Sequence, residues 1–197
     1  RGLGDVYKRQ EYTVKVKVSY DQANGTMKAE LADKDQKLAF ANSYDTETGI
    51  DLEGTKSLEG RTLKDGEFTF EVKDKAGKVV ATGSNKSDGS ISFNNKLNYK
   101  LSDLEKADGS YESEKTYEYT VNEVIPEGAT AENNYTVNGV TYDSKTVNVK
   151  VTVTYNKETG ELKAELAKDS EAIAFQNSYE TKTSIGLEGT KSLEGRT

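Results

Sequence analysis

Residues 146–155 read TVNVKVTVTY, with an apolar residue at every second position from Val147 to Tyr155. Successive side chains of a β-strand point to opposite faces, so this run has one Val-rich face and one face of Thr, Asn and Lys. It is the longest such alternation in the chain. A turn, NKETG (156–160), follows it, and then ELKAELA (161–167). By propensity the Ala, Leu, Glu and Lys of that last stretch favour a helix. The turn nevertheless invites a hairpin back onto 147–155, and the stretch is read as a strand. Working outward, IDLEGTKSL, EFTFEV, KVVATGS, SISFNNKLNY, KTYEYTVNEV and AIAFQNSYE all carry strand patterns separated by KDG, KAG and SDG turns. NYTVNGVTYDS holds an Asn-Gly pair suited to a two-residue hairpin, and LSDLEKADG suits one helical turn. Eight or nine short strands with a single Pro predict an all-β sandwich over residues 50–181.

Composition narrows the function. Of the 197 residues, 33% are hydrophobic and 31% charged, and the net charge is -7. Mean hydropathy is -0.82. Such values are near those of disordered chains, but the apolar residues are gathered into alternating runs that disorder does not need. A narrow core under a polar skin accounts for both. No basic stripe is present to meet a phosphate backbone, so nucleic acid is not expected as a partner. No run of 18 apolar residues could cross a bilayer and no apolar leader is visible, so the chain reads as cytosolic or as an internal piece of a longer protein. With neither Cys nor His, disulfides, thiolate or imidazole metal sites and Ser-His or Cys-His nucleophile pairs are all excluded. No cofactor and no metal are expected.

The chain also repeats itself. At an offset of 135, residues 12–62 align with 147–197 without a gap, and 30 of the 51 pairs are identical. LEGTKSLEGRT stands at both 52–62 and 187–197. Tandem modules of this length are large enough to hold their own cores. The Thr-rich stretches TETGIDLEG and TKTSIGLEG have the makeup of short connections. The expected organisation is therefore the closing part of one repeat at 11–46, a complete repeat at 47–182 and the opening strand of a third at 183–197. RGLGDVYKRQ (1–10) breaks the pattern and reads as a non-native leader of the kind translated from a sequencing adaptor.

Parity then exposes an anomaly. Ile50, Leu52, Gly54, Lys56 and Leu58 share one face of their strand. Tyr117, Tyr119, Val121 and Glu123 share another, and Ile173, Phe175, Asn177 and Tyr179 a third. One Lys, one Glu and one Asn each fall on a core parity among apolar neighbours. Singly, each has an ordinary explanation: Lys snorkels and Asn caps turns. Together they are harder to set aside, because buried Lys and Glu are rare unless paired. A desolvated Lys amine becomes a neutral nucleophile. An acid kept protonated by burial can polarise the Asn carbonyl, then carry protons from the amine to the departing ammonia. The product would be a Lys–Asn isopeptide bond, with proximity doing most of the work.

The phrases GTKSLEGRTLKDGEFTFEV, YEYTVNEV and FQNSY resemble the isopeptide-linkage repeat of Gram-positive major pilins and surface adhesins. That resemblance implies an Ig-like sandwich in which Lys56 and Asn177 are linked and Glu123 is the catalytic partner. Asn42 and Lys191 would be the counterparts in the partial repeats. It further implies a structural stalk or shaft module at the cell wall or pilus, outside the cell, with neighbouring repeats of the same chain as partners. Any catalysis would be a single self-cross-linking event rather than enzyme turnover. The alternative is an adhesin module holding a host protein or glycan, whose candidate surface is the loop 125–135 (IPEGATAENNY) with Tyr135 exposed.

Overall fold

The computed structural model describes residues 11–35, 37–38, 44–192 and 194–195. The chain forms two compact units, one up to Asp45 and one from Thr46 onward. In the first, β1 (Val16–Asp21) and β2 (Thr26–Leu31) make an antiparallel hairpin in register from Val16↔Leu31 to Asp21↔Thr26. The Asp21 carboxylate accepts the Ala23 and Asn24 backbone N–H groups and so shapes the turn.

Among its described residues the second unit holds twelve strands: β3 (Glu47–Ile50), β4 (Glu53–Glu59), β5 (Thr69–Asp74), β6 (Val79–Asn85), β7 (Ser90–Phe93), β8 (Leu97–Lys100), β9 (Glu114–Glu123), β10 (Thr136–Val137), β11 (Val140–Thr141), β12 (Thr146–Asn156), β13 (Glu161–Leu166) and β14 (Ala174–Tyr179). Ten of them form one sheet in the order β10-β11-β14-β4-β7-β6-β5-β9-β12-β13, and β3 pairs with β8 apart from it. Every pairing is antiparallel except β14 with β4, the last strand lying parallel beside the first of the ten.

This sheet doubles back on itself. β14 and β5 stand four steps apart in the order, about 19 Å if the sheet were flat. Yet the rings of Phe175 on β14 and Phe70 on β5 have centroids 5.1 Å apart. The two halves therefore face each other across a shared core, in which Phe70, Val72, Val121, Val151, Val153 and Leu104 are wholly buried. The all-β architecture agrees with the sequence reading. β12 buries Val147, Val149, Val151 and Val153 and leaves the intervening residues at least partly open. Residues 161–166 form a strand, as the turn required. Pairing of Tyr155 with Leu162 and of Val153 with Ala164 outweighs their helix propensity. Leu101–Leu104 supplies the expected helical turn, in 3₁₀ form.

Two details differ from the sequence reading. IDLEGTKSL is not one strand, because the chain leaves β3 after Ile50 and starts β4 at Glu53. SISFNNKLNY likewise divides into β7 and β8. Both breaks have one cause: β3 and β8 leave the ten-stranded sheet to pair with each other, Ile50 opposite Leu97. Residues 47–179 consequently contain twelve strands, where the sequence reading expected eight or nine.

Gly60 ends β4 with φ +91°, and a Cβ there would collide with the Tyr179 carbonyl oxygen. Gly66 also has positive φ, +67°, but has nothing within 4 Å of that position. Gly66→Ala is therefore expected to cost only the left-handed backbone penalty, about 1–2 kcal/mol. Gly60→Ala should cost more, because the β4–β14 contact must also open. Denaturant midpoints of the two variants compare them directly, and equal shifts would contradict the close approach.

Candidate functional site

Each anomalous side chain is delivered to the core by strand parity. On β4 the flanking residues Thr55 and Ser57 are exposed while Lys56 is 3% exposed. On β14 Asn177 is 1% exposed, between exposed Gln176 and Ser178. Glu123 closes β9 opposite Phe70 of β5. Because β4 and β14 run parallel with Lys56 opposite Phe175 and Leu58 opposite Asn177, the Lys and the Asn sit two residues out of step on neighbouring strands. Glu123 reaches them from the facing half of the sheet. Sandwiched layers lie about 10 Å apart, a gap that two extended side chains can span.

The three side chains meet. Lys56 Nζ donates to Glu123 Oε2 at 2.7 Å, and Asn177 Nδ2 donates to Glu123 Oε1 at 2.6 Å. Both Lys56 and Glu123 side chains are fully shielded from solvent. The ammonium position lies 4.6 Å from the centre of the Phe68 ring and 5.9 Å from that of Phe70. Burial dominates the electrostatics. It pushes the Lys56 amine below the ordinary lysine range, against the opposing pull of Glu123. It pushes the Glu123 carboxyl above the ordinary glutamate range, against Lys56 and Asn177. Both shifts favour the uncharged forms, an amine beside a carboxylic acid.

The amide of Asn177 is held at both ends. Its Oδ1 accepts the Asp143 backbone N–H at 2.8 Å. The sequence reading placed the acid on the amide carbonyl; in the structure the Glu123 carboxyl lies on the amide nitrogen and the Asp143 N–H on the oxygen. Chemically, the cluster offers a nucleophilic amine, an amide acceptor and an acid with one oxygen on each nitrogen. Among the described residues, no group of His, Cys, Asp and Glu could hold a metal ion.

Of the other residues singled out, Asn42 lies outside the described residues. Lys191 is exposed in a stretch without regular structure. Tyr135, expected to be exposed, is half-buried. Its backbone N–H is taken by the Thr130 carbonyl at 2.7 Å, and its carbonyl accepts the Tyr142 N–H at 3.0 Å, which draws the residue into its own loop.

Two residues in contact with the site escaped the sequence reading. Asn85, 1% exposed, shares the inward parity of Ala81 on β6, so extending the parity test to KVVATGSN finds it. Its Oδ1 accepts the Phe68 N–H at 2.7 Å, and its Nδ2 donates to the Lys64 and Lys86 carbonyls. It thus sets the backbone that places Phe68 against Lys56. Asp143 lies in the link between β11 and β12, where no periodicity applies, and its contact with Asn177 exists only in the fold.

The family model of FctA, described as a Spy0128-like isopeptide containing domain, matches residues 52–180. Among solved structures, the major pilin of Streptococcus pyogenes is similar at 20% identity with a TM-score of 0.37, and a point mutant of it at 19% with a TM-score of 0.35. Each match covers 67% of this chain and 51% of the pilin chain, so the sequence spans about half the length of those pilins. No curated protein matches the chain.

Asn85→Ala should strand the buried Phe68 N–H and lower stability by about 1–3 kcal/mol. Urea titration of the full chain measures this as a lower midpoint with an unchanged slope. An unshifted midpoint would show that Asn85 does not organise the site.

Proposed function

The chain belongs to the family of Spy0128-like isopeptide containing domains, and from that premise we propose that residues 47–182 form a stalk module of a Gram-positive surface or pilus protein, locked by a self-made Lys56–Asn177 isopeptide bond. It is a structural protein, not an enzyme. The observation that carries this reading is Glu123, buried with one carboxyl oxygen on the Lys56 nitrogen and the other on the Asn177 nitrogen.

That arrangement suits a bifunctional acid–base. The neutral Lys56 amine attacks Cγ of Asn177. Glu123 Oε2 takes a proton from Nζ, while Oε1 delivers one to Nδ2. The Nζ–Cγ bond forms, the Cγ–Nδ2 bond breaks, ammonia leaves, and Glu123 ends in the protonation state in which it began. No oxidant, metal or cofactor enters the balance. Folding supplies the catalysis that matters most, since it brings the amine and the amide to the same carboxyl group.

The bond would join neighbouring parallel strands at the two ends of the module. Tension applied at the termini loads the β4–β14 pair first, and a covalent link there shields the strands between. It would also restrict the unfolded chain as a disulfide closing a loop of ~100 residues does, by about 5 kcal/mol. The adjoining repeats, joined through TETGIDLEG and TKTSIGLEG, would be the module's partners in a chain outside the cell. Among the described residues no helix is long and apolar enough to cross a membrane.

Intact mass of the folded chain tests the proposal. Loss of one ammonia, about 17 Da, should occur without added enzyme or cofactor. Lys56→Ala, Asn177→Ala and Glu123→Gln should keep their full calculated masses, and all should melt earlier and yield to protease. Glu123→Gln keeps the shape of the side chain but cannot shuttle a proton. Glu118→Ala is the control, because Glu118 is exposed on the other face of β9 and forms a surface ion pair with Lys75; it should react normally. A folded parent chain at full mass would end the isopeptide reading.

A further inference from the structure

We propose that Asp143 is a second working residue of this centre: its backbone N–H is the donor that stabilises the oxyanion on Asn177, and its carboxylate is the clamp that aims that donor. This rests on the cross-linking reading above and adds to it the group that polarises the carbonyl.

The argument starts from hydrogen-bond chemistry. A backbone N–H can only donate, so the end of the Asn177 amide facing Asp143 at 2.8 Å must be the oxygen. The NH₂ end is thereby turned to Glu123, where it must be if it is to leave as ammonia. A single contact fixes the orientation of the amide and touches the atom that gains charge. As Nζ adds to Cγ, negative charge develops on Oδ1 in a site closed to water, where a fixed dipole is worth far more than in solvent. The Asp143 N–H keeps its proton throughout, so the proton balance through Glu123 is unaltered.

The second half concerns how the N–H is aimed. The β11 ladder on β14 stops at Thr141↔Ser178. Beyond it, the Asp143 side chain takes over: Oδ2 accepts the Gln176 backbone N–H at 3.0 Å. Asp143 therefore grips β14 at two consecutive residues, the main chain of Gln176 and the side chain of Asn177. The carboxylate is steadied from its own loop, with Oδ1 accepting the Lys145 N–H at 3.2 Å and the Lys145 ammonium 3.1 Å from Oδ2. A side-chain oxygen standing in for a main-chain carbonyl leaves the Asp143 N–H out of the ladder and pointed at the reacting amide.

The test isolates the N–H. Cell-free translation with a suppressor tRNA carrying the α-hydroxy analogue of aspartate converts the 142–143 amide into an ester and leaves every side chain intact. Ammonia loss, followed by intact mass as the full chain folds, should slow by roughly 10²–10³-fold, the usual consequence of removing one oxyanion donor. Asp143→Ala keeps the N–H but loses the clamp and should slow by about tenfold or more, since small misplacements of a reacting group are costly. Asp143→Asn retains an oxygen for the Gln176 N–H and should recover most of the rate. If the ester variant reacts at the parental rate, the oxyanion assignment is wrong. If it fails to fold, the other pair decides: Asp143→Ala reacting like the parent overturns the proposal. Asp143→Asn as slow as Asp143→Ala would mean that the charge of Asp143 acts, not its grip. A parent chain that never loses ammonia overturns the cross-linking reading itself.

Discussion

The carboxyl group of Glu123, sealed from water between an amine and an amide, is the constraint on which this module is built. Removing an amine and a carboxyl from solvent costs several kcal/mol each unless they are paired and fully hydrogen-bonded. Here the pairing is complete: among the described residues, no buried side-chain nitrogen or oxygen lacks a partner. Around it, Phe68 and Phe70 keep water out, and their faces lie near the Lys56 nitrogen. The cluster is tolerable as a folded arrangement of polar groups. The same desolvation shifts amine and acid toward their neutral forms, so the feature that makes the site expensive is also the one the proposed cross-linking would use.

The rest of the architecture can be understood as delivery. β4 brings Lys56, β14 brings Asn177 beside it, and the doubling of the sheet carries Glu123 over from the opposite layer. An antiparallel meander would not place the first and last of these strands side by side. The parallel β4–β14 pair does so, and it brings together residues 121 positions apart in the chain. Asn85 and Asp143 then refine the placement, the first by holding Phe68 and the second by holding β14. Both act through loops, one between β4 and β5 and the other between β11 and β12.

Much of this was legible in the sequence because strands have a period of two. Alternation in 146–155 and its neighbours reveals the class of fold, and the same alternation marks Lys56, Glu123 and Asn177 as inward. A physical code that short survives without any knowledge of partners. It fails where regularity fails. The exchange of β3 and β8 into their own pair leaves no mark on local pattern, because IDLEGTKSL alternates well enough to be one strand. Asp143 is invisible for the same reason, since a residue in an irregular link has no parity. Which end of the Asn177 amide faces the acid is likewise a property of the donor that the loop presents.

The repeated segments separate the two kinds of information. Val149, Val151 and Val153 on β12 are buried, whereas Val16 and Val18, which stand at the matching positions of the first repeat as counterparts of Val151 and Val153, are exposed. Lys56 is 3% exposed within LEGTKSLEGRT, and Lys191, in the identical stretch, is exposed. By itself the sequence determined that these residues can share a strand face, because that follows from backbone geometry. Whether the face is dry was decided only by the tertiary structure. Burial, and with it the lowered proton affinity of Lys56, requires an opposing layer, and no eleven residues carry that with them.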